Sequence, residues 1–312
     1  MTEVAVLIPC YNESTTIAKV VADVKKELPF AEIYVYDNNS TDGTDEIARN
    51  AGAKVRYCYQ QGKGNVVRQM FSDIDAKCYV MVDGDDTYDV SSIKEMVDLV
   101  LLKNIDMVVG DRLSSTYFKE NKRPFHNTGN RVVCGLINLL FGSKIKDVMT
   151  GYRAFSYRFV KTFPVLSKGF EIETEMSIHA VDKNLHIKNV ICNYRDRPEG
   201  SESKLDTVPD GCKVLRMIMS LCSTYISMKF FGLIAFLLFI SGLGFFIPVF
   251  VEYLQTGEVL NFPTLIMCCC VWMISIQCFF SGLVLEILHK KNKQDFEYKL
   301  IEASRRLREL SE

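Results

Sequence analysis

Residues 79–86 read Tyr79-Val80-Met81-Val82-Asp83-Gly84-Asp85-Asp86. An apolar run of strand type delivers three carboxylates within four residues, and Gly84 permits a tight backbone path between them. Close like charges repel, so such a cluster calls for a cation. Hard carboxylate oxygens suit Mg2+ or Mn2+, and either ion would in turn hold a diphosphate. Taken alone, Asp-x-Asp behind a strand is also an ordinary acidic turn, so its neighbours decide the reading.

Working outward, short runs rich in Val and Ile alternate with stretches of helical spacing. Strands are predicted over 4–8, 33–36, 54–57, 78–82 and 107–109, and helices over 14–28, 42–51, 64–75 and 91–102. Strands apolar on both faces belong to a mostly parallel sheet with helices on each side. The fold class is therefore α/β, a Rossmann-like domain over residues 1–205. In such sheets ligands bind beyond the carboxyl ends of the strands, and the polar clusters fall there: Tyr11-Asn12-Glu13, Asp37-Asn38-Asn39-Ser40 and the run from Asp83. Gly62-Lys63-Gly64 opens a helix, and a helix N-terminus with a lysine between glycines is a plausible neighbour for phosphate.

The second half is built for a different solvent. Residues 230–251 and 262–285 are uncharged, and each run is long enough to cross a bilayer core of roughly 30 Å. The ten residues between them, 252–261, hold no Lys or Arg, whereas Lys213, Arg216 and Lys229 precede the first run and Lys290, Lys291 and Lys293 follow the second. By the positive-inside rule, both termini and the α/β domain face the cytoplasm of a multi-pass cell-membrane protein. Four segments are expected: the domain at 1–205, an amphipathic interfacial helix at 206–229, two transmembrane helices within 230–288, and a charged tail helix at 289–312. The formal net charge of -1 argues against a nucleic-acid partner. Of the 11 cysteines, Cys10, Cys58 and Cys78 lie within or at the ends of predicted strands and Cys268, Cys269 and Cys270 in an apolar run; with no paired Cys-x-x-Cys motifs, this points to reduced thiols and away from zinc. Met1-Thr2-Glu3 leads straight into a strand pattern, so no cleavable leader is expected.

Four motifs in order, Ile8-Pro9-Cys10-Tyr11-Asn12-Glu13, the run from Asp37 to Thr44, Gly62-Lys63-Gly64-Asn65 and Asp83-Gly84-Asp85-Asp86, resemble the A-type, inverting family-2 glycosyltransferases. The likeness continues through Gly110-Asp111-Arg112, Asn130-Arg131 and the run Asp147-Val148-Met149-Thr150-Gly151-Tyr152-Arg153. That last run is similar to the Asp-x-x-Ser-Gly-Phe-Arg motif of the polyprenyl-phosphate branch, in which dolichyl-phosphate mannose synthases and bacterial polyprenyl-phosphate glucosyltransferases fall. Thr150 and Tyr152 replace the commoner Ser and Phe, and Thr87 stands where relatives with Asp-x-Asp-x-Gln carry Gln.

The resemblance implies a nucleotide-sugar donor, UDP-glucose foremost with UDP-N-acetylglucosamine or GDP-mannose as alternatives, and a polyprenyl-phosphate acceptor such as undecaprenyl phosphate. It implies donor contacts from Pro9, Tyr11, Glu13, Asp37, Asn39, Lys63, Asp83, Gly84, Arg197 and Lys204, and acceptor-phosphate contacts from Arg123 and Arg131. It further implies a Mg2+ or Mn2+ ion on Asp85 and Asp83, a catalytic set of Asp83, Asp85, Asp147, Arg131 and Arg153, and a homo-oligomer in the membrane bilayer. Glu171, Glu173 and Glu175 alternate, so they share a strand face or open a helix; Glu173 is a candidate near the donor. The four histidines do not cluster and read as structural. A processive polysaccharide synthase is disfavoured because the single Trp, Trp272, lies in an apolar run and is not preceded by Arg. A catalytically idle membrane scaffold is the rival of a different class; it has no need of an unneutralised carboxylate cluster.

Overall fold

The computed structural model describes residues 1–114, 134–135, 137–139, 142, 145–169, 171–195 and 225–310. Two compact units result: Met1–Asp210 together with Phe296–Glu312, and Gly211–Asp295.

The first unit alternates strand and helix: β1 (Thr2–Cys10), α1 (Ile17–Glu27), β2 (Glu32–Asp37), α2 (Thr44–Asn50), β3 (Lys54–Tyr57), α3 (Lys63–Asp73), β4 (Ala76–Met81), α4 (Ile93–Lys103), β5 (Met107–Asp111), β6 (Arg153–Ser156), α5 (Tyr157–Thr162), α6 (Ile172–Asp182) and β7 (Ile187–Ile191). Among the described residues these strands form one seven-stranded sheet in the order β3-β2-β1-β4-β6-β5-β7. β1 pairs parallel with β2 and β4, and β5 pairs parallel with β7; β6 runs antiparallel between β4 and β5. β6 and β7 are additions to the five strands predicted from sequence. Glu171, Glu173 and Glu175 resolve as the opening turn of α6, where acidic residues suit the helix dipole.

Side-chain alternation explains the layering. Val4, Val6 and Ile8 of β1 face one core with Val20, Val21 and Val24 of α1 and Met96, Val97 and Val100 of α4. Ala5 and Leu7 face the other with Val67, Met70 and Phe71 of α3, Phe159 of α5 and Met176 of α6. Both faces are dry because each successive Cβ points to the opposite side of the sheet. The carboxyl ends of β1, β2 and β4 therefore open on the same edge, and the polar loops collect there.

The second unit holds α7 (Ser227–Thr256) and the first part of α8 (Phe262–Glu309). Both helices are long and apolar enough to cross a membrane, and their most apolar windows are 17% buried. Gly242 faces Trp272 so closely that a Cβ would lie 2.6 Å from the indole nitrogen, and Gly282 meets Phe231 in the same way. Small residues of this kind let two apolar helices approach where no water drives them together. Trp272 donates to the Phe239 carbonyl at 3.3 Å and Ser275 to the Ala235 carbonyl at 2.7 Å.

The end of α8 belongs to the first unit. Phe296 and Ala303 are buried in the α3–α5–α6 core, with Leu300 and Leu307 packed against it, a stripe at helical spacing. Phe296 meets the His179 ring at 5.3 Å, and Phe163 and Phe159 close on the same imidazole at 5.0 and 5.8 Å. Burial first, and the Lys183 ammonium next, pull the His179 pKa down to about 4. The unfolded chain takes up this proton near pH 6.5, and the folded chain resists it until about pH 4. Stability from this site is complete above pH 6.5 and is lost as pH falls through that window. We expect denaturation of wild type to lose about 2 kcal/mol more between pH 6.5 and 4 than that of His179→Gln. Parallel pH profiles for the two proteins would contradict the assignment.

Candidate functional site

Four loops meet at the carboxyl edge. Behind β1, Asn12 takes a left-handed conformation (φ 54). Its amide donates to Ser40 Oγ at 2.9 Å, and its side-chain oxygen accepts from the Thr41 amide at 2.8 Å. The Glu13 amide donates to Thr44 Oγ1 at 2.9 Å and the Ser14 amide to Asp42 Oδ2 at 3.0 Å. The loops after β1 and β2 are thus stitched side chain to backbone, which uses short polar residues for the purpose they serve best. Thr16 Oγ1 donates to the Gly84 carbonyl at 2.6 Å and joins the β4 loop to the same frame.

Asp37 ends β2 and is buried. Its Oδ2 accepts from the Ser40 amide at 3.0 Å, while its buried Oδ1 has no hydrogen-bond partner among the described residues. A buried carboxylate oxygen left in that state costs about 1–3 kcal/mol unless a ligand satisfies it. Asn38 organises the loop beyond β3: its Nδ2 donates to the Cys58 and Gln60 carbonyls at 2.7 and 2.9 Å, and its Oδ1 accepts from the Gly62 amide at 2.8 Å. Asn39 (φ 65) donates to the Tyr59 carbonyl at 3.2 Å and to Gln61 Oε1 at 3.0 Å. Tyr11 is exposed beside these loops, Pro9 is partly buried and Glu13 is buried.

The carboxylates behind β4 have three different environments. Asp86 is paired with Lys19, whose Nζ donates to Oδ1 at 2.6 Å. Asp85 is buried, and its Oδ1 accepts from Thr87 Oγ1 at 2.7 Å. Thr87, at the position where a Gln was the commoner residue, thus orients the Asp85 carboxylate. Asp83 Oδ1 accepts from Lys63 Nζ at 2.6 Å, and the same ammonium lies 2.6 Å from Glu173 Oε1. Burial alone would lower the Lys63 pKa; Asp83 and Glu173 more than reverse this and raise it well above the usual lysine range. Among the described residues no group of three His, Cys, Asp or Glu is arranged to hold a metal ion.

Asp147 and Arg153, expected in the catalytic set, flank the Gly151 loop and are both fully buried. The Arg153 guanidinium is 0% exposed. Nε donates to the Thr150 carbonyl at 2.9 Å, Nη2 to the Val148 carbonyl at 2.7 Å and Nη1 to Ser177 Oγ at 2.9 Å. Burial lowers its pKa to about 10. Arg153 therefore clamps the loop before β6 to α6 and touches no solvent. Asp147, also 0% exposed, accepts from Arg112 Nε at 2.8 Å and from the Met149 amide at 3.1 Å. The clamped loop presents Gly151 to Asp83: a Cβ there would lie 2.3 Å from Asp83 Oδ2. Its amide donates to the Tyr88 hydroxyl at 3.0 Å. Gly151, Tyr88, Asn38 and Thr16 are site-forming residues that the sequence singled out for no role, although Gly151 and Asn38 stand within motifs quoted above. Arg123, Arg131, Arg197 and Lys204 lie outside the described residues, as does most of the expected interfacial helix.

Gly151→Ala drives a methyl group into the Asp83 carboxylate. We expect the fold to survive with stability reduced by about 1–3 kcal/mol, read as a lower denaturation midpoint. An unchanged midpoint would show that the loop yields freely.

Residues 5–163 match the glycosyl transferase family 2 model. Glycosyltransferase AglJ of Haloferax volcanii is 35% identical over 251 residues, covering 80% of this chain and 82% of that protein. The dolichyl-phosphate hexose transferase of the same organism is 29% identical over 220 residues, covering 70% of this chain and 94% of that one. Among solved structures, glucosyl-3-phosphoglycerate synthase of Mycobacterium tuberculosis, in complex with Mn2+, UDP-glucose and phosphoglyceric acid, superposes with a TM-score of 0.51 at 20% identity, over 63% of this chain and 73% of that chain. The motif-bearing half of the chain lies inside the matched range, the sheet and its carboxyl-edge loops have the expected A-type form, and the chain belongs to glycosyl transferase family 2.

Proposed function

We propose that this glycosyltransferase moves a hexose from a nucleotide sugar, UDP-glucose foremost, to a polyprenyl phosphate, with inversion at the anomeric carbon. The observation that carries the reading is the carboxylate edge: Asp85 and Asp83 behind β4 stand on one frame with the buried, half-satisfied Asp37 at the end of β2. Asp37 Oδ1 suits a hydroxyl or N–H donor of the nucleoside. Asp85, with Asp83, offers the hard oxygens a Mg2+ or Mn2+ ion prefers, and Thr87 already fixes one of them. Such an ion, when bound, offsets charge on the departing diphosphate.

The acceptor of this reading is an anion, so it needs no general base to become a nucleophile. The difficulty is electrostatic, since two anions must approach each other. Arginines relieve it through charge-assisted, often bidentate hydrogen bonds; Arg131 and Arg123 are proposed for the acceptor phosphate, and Arg197 and Lys204 for closing over the donor. The two apolar helices and the likeness to a dolichyl-phosphate hexose transferase support a lipid-borne acceptor. The Lys and Arg bias around those helices supports a cytoplasmic site with both termini on that side. Second copies of the chain are proposed as neighbours in the bilayer.

Protein purified in detergent is to be offered Mn2+ or Mg2+, undecaprenyl phosphate and a panel of labelled nucleotide sugars. We expect label in the lipid phase from one donor, lost on chelation, with Asp85→Asn reduced about 100-fold or more while its melting curve is retained. Transfer by Asp85→Asn at the wild-type rate would overturn the metal assignment. No transfer from any donor, with UDP still bound, would favour the idle scaffold.

A further inference from the structure

Lys63 stands between two carboxylates of unequal exposure. Its own side chain is 9% exposed, that of Asp83 24% and that of Glu173 6%. The arrangement is held from both sides. Gly62 (φ 123) and Gly64 press the start of α3 against residues 167–168: a Cβ at either would lie 2.2 or 2.1 Å from the Lys168 or Ser167 carbonyl oxygen. The Gly64 amide donates to the Lys168 carbonyl at 3.0 Å. Residues 166 and 167 are pinned in turn by Glu175, which accepts from the Leu166 and Ser167 amides at 3.0 and 2.9 Å. The first turn of α6 thus supplies one acid to the ammonium and another to the backbone beneath it. Ser177 fixes that turn by donating to the Glu173 carbonyl at 2.9 Å while accepting from Arg153.

We propose that Glu173 is a positioning residue for glycosyl transfer: it anchors the Lys63 ammonium, and through it holds the more open Asp83 carboxylate aimed at the donor. This rests on the reading of the β4 edge as the donor site. An ammonium shared with a buried carboxylate cannot follow an incoming diphosphate out of place. It leaves Asp83 partly neutralised, as a hydrogen-bond acceptor for a donor hydroxyl. Asp85, oriented by Thr87 instead, is left as the principal oxygen ligand for the cation. Glu173 reaches Asp83 through Lys63 in this arrangement, so its effect on the donor step vanishes once Lys63 is gone.

The test is a double-mutant cycle of Lys63→Met and Glu173→Gln, read in kcat and donor KM and, without any acceptor, in Mn2+-dependent UDP affinity by calorimetry. We expect Glu173→Gln to weaken the donor step about tenfold, the effect of losing one charged hydrogen bond, mainly in KM. The double variant should be no worse than Lys63→Met alone. Glu173→Asp, which keeps the charge and guards against a misfolded Gln variant, should fall between wild type and Glu173→Gln. Losses that multiply in the double variant, or a Glu173→Gln defect confined to kcat, would overturn the proposal. Wild type that binds UDP yet transfers nothing to lipid would count against the acceptor reading, while the affinity cycle would still decide the role of Glu173.

Discussion

The ammonium of Lys63, shared between Asp83 and Glu173, ties together the start of α3, the loop behind β4 and the first turn of α6. The first two are neighbours in sequence and the α6 turn lies far along the chain, and a buried charge is tolerated only when it is paired and its geometry is fixed. The fixing is visible around it. Glycines at 62 and 64 let two backbones touch, Gly151 leaves room for the Asp83 carboxylate, and Arg153 ties the Gly151 loop to α6.

The sheet makes that arrangement possible. Parallel strands deliver Asp37 at the end of β2, Asp83 just past β4 and Asp111 at the end of β5 to one edge. Short polar residues then lash the loops behind β1, β2, β3 and β4 together. Asp85 and Asp83, a single residue apart, meet different neighbours: Thr87 for one and Lys63 for the other. A repeated residue type thereby acquires two chemical characters, set by surroundings that the local sequence does not display.

Much of this was legible beforehand. Five strands and the helices between them followed from apolar runs, because burial on both faces leaves an unmistakable pattern in β1, β2, β4 and β5. β6 was not, since four residues beginning with Arg carry little periodicity, and β7 alternates only weakly. The opening acids of α6 fitted a strand face or a helix start equally well until neighbouring packing chose the helix. Arg153 stands out in its motif, but the sequence does not display its partners: two backbone carbonyls, a serine and the Met107 sulfur inside the domain. The link from Lys63 to Glu173 spans two distant elements, and neither residue alone announces it. The end of α8 reads as a charged tail, but the stripe Phe296, Leu300, Ala303 and Leu307 gives it a face that the core of the first unit covers.

In a structure determined with Mn2+ and UDP bound, we expect a cation on Asp85, the uridine beside Asp37, and Lys63 still bonded to Glu173. A nucleotide bound away from the β4 edge, or a cation that ignores Asp85, would contradict this expectation.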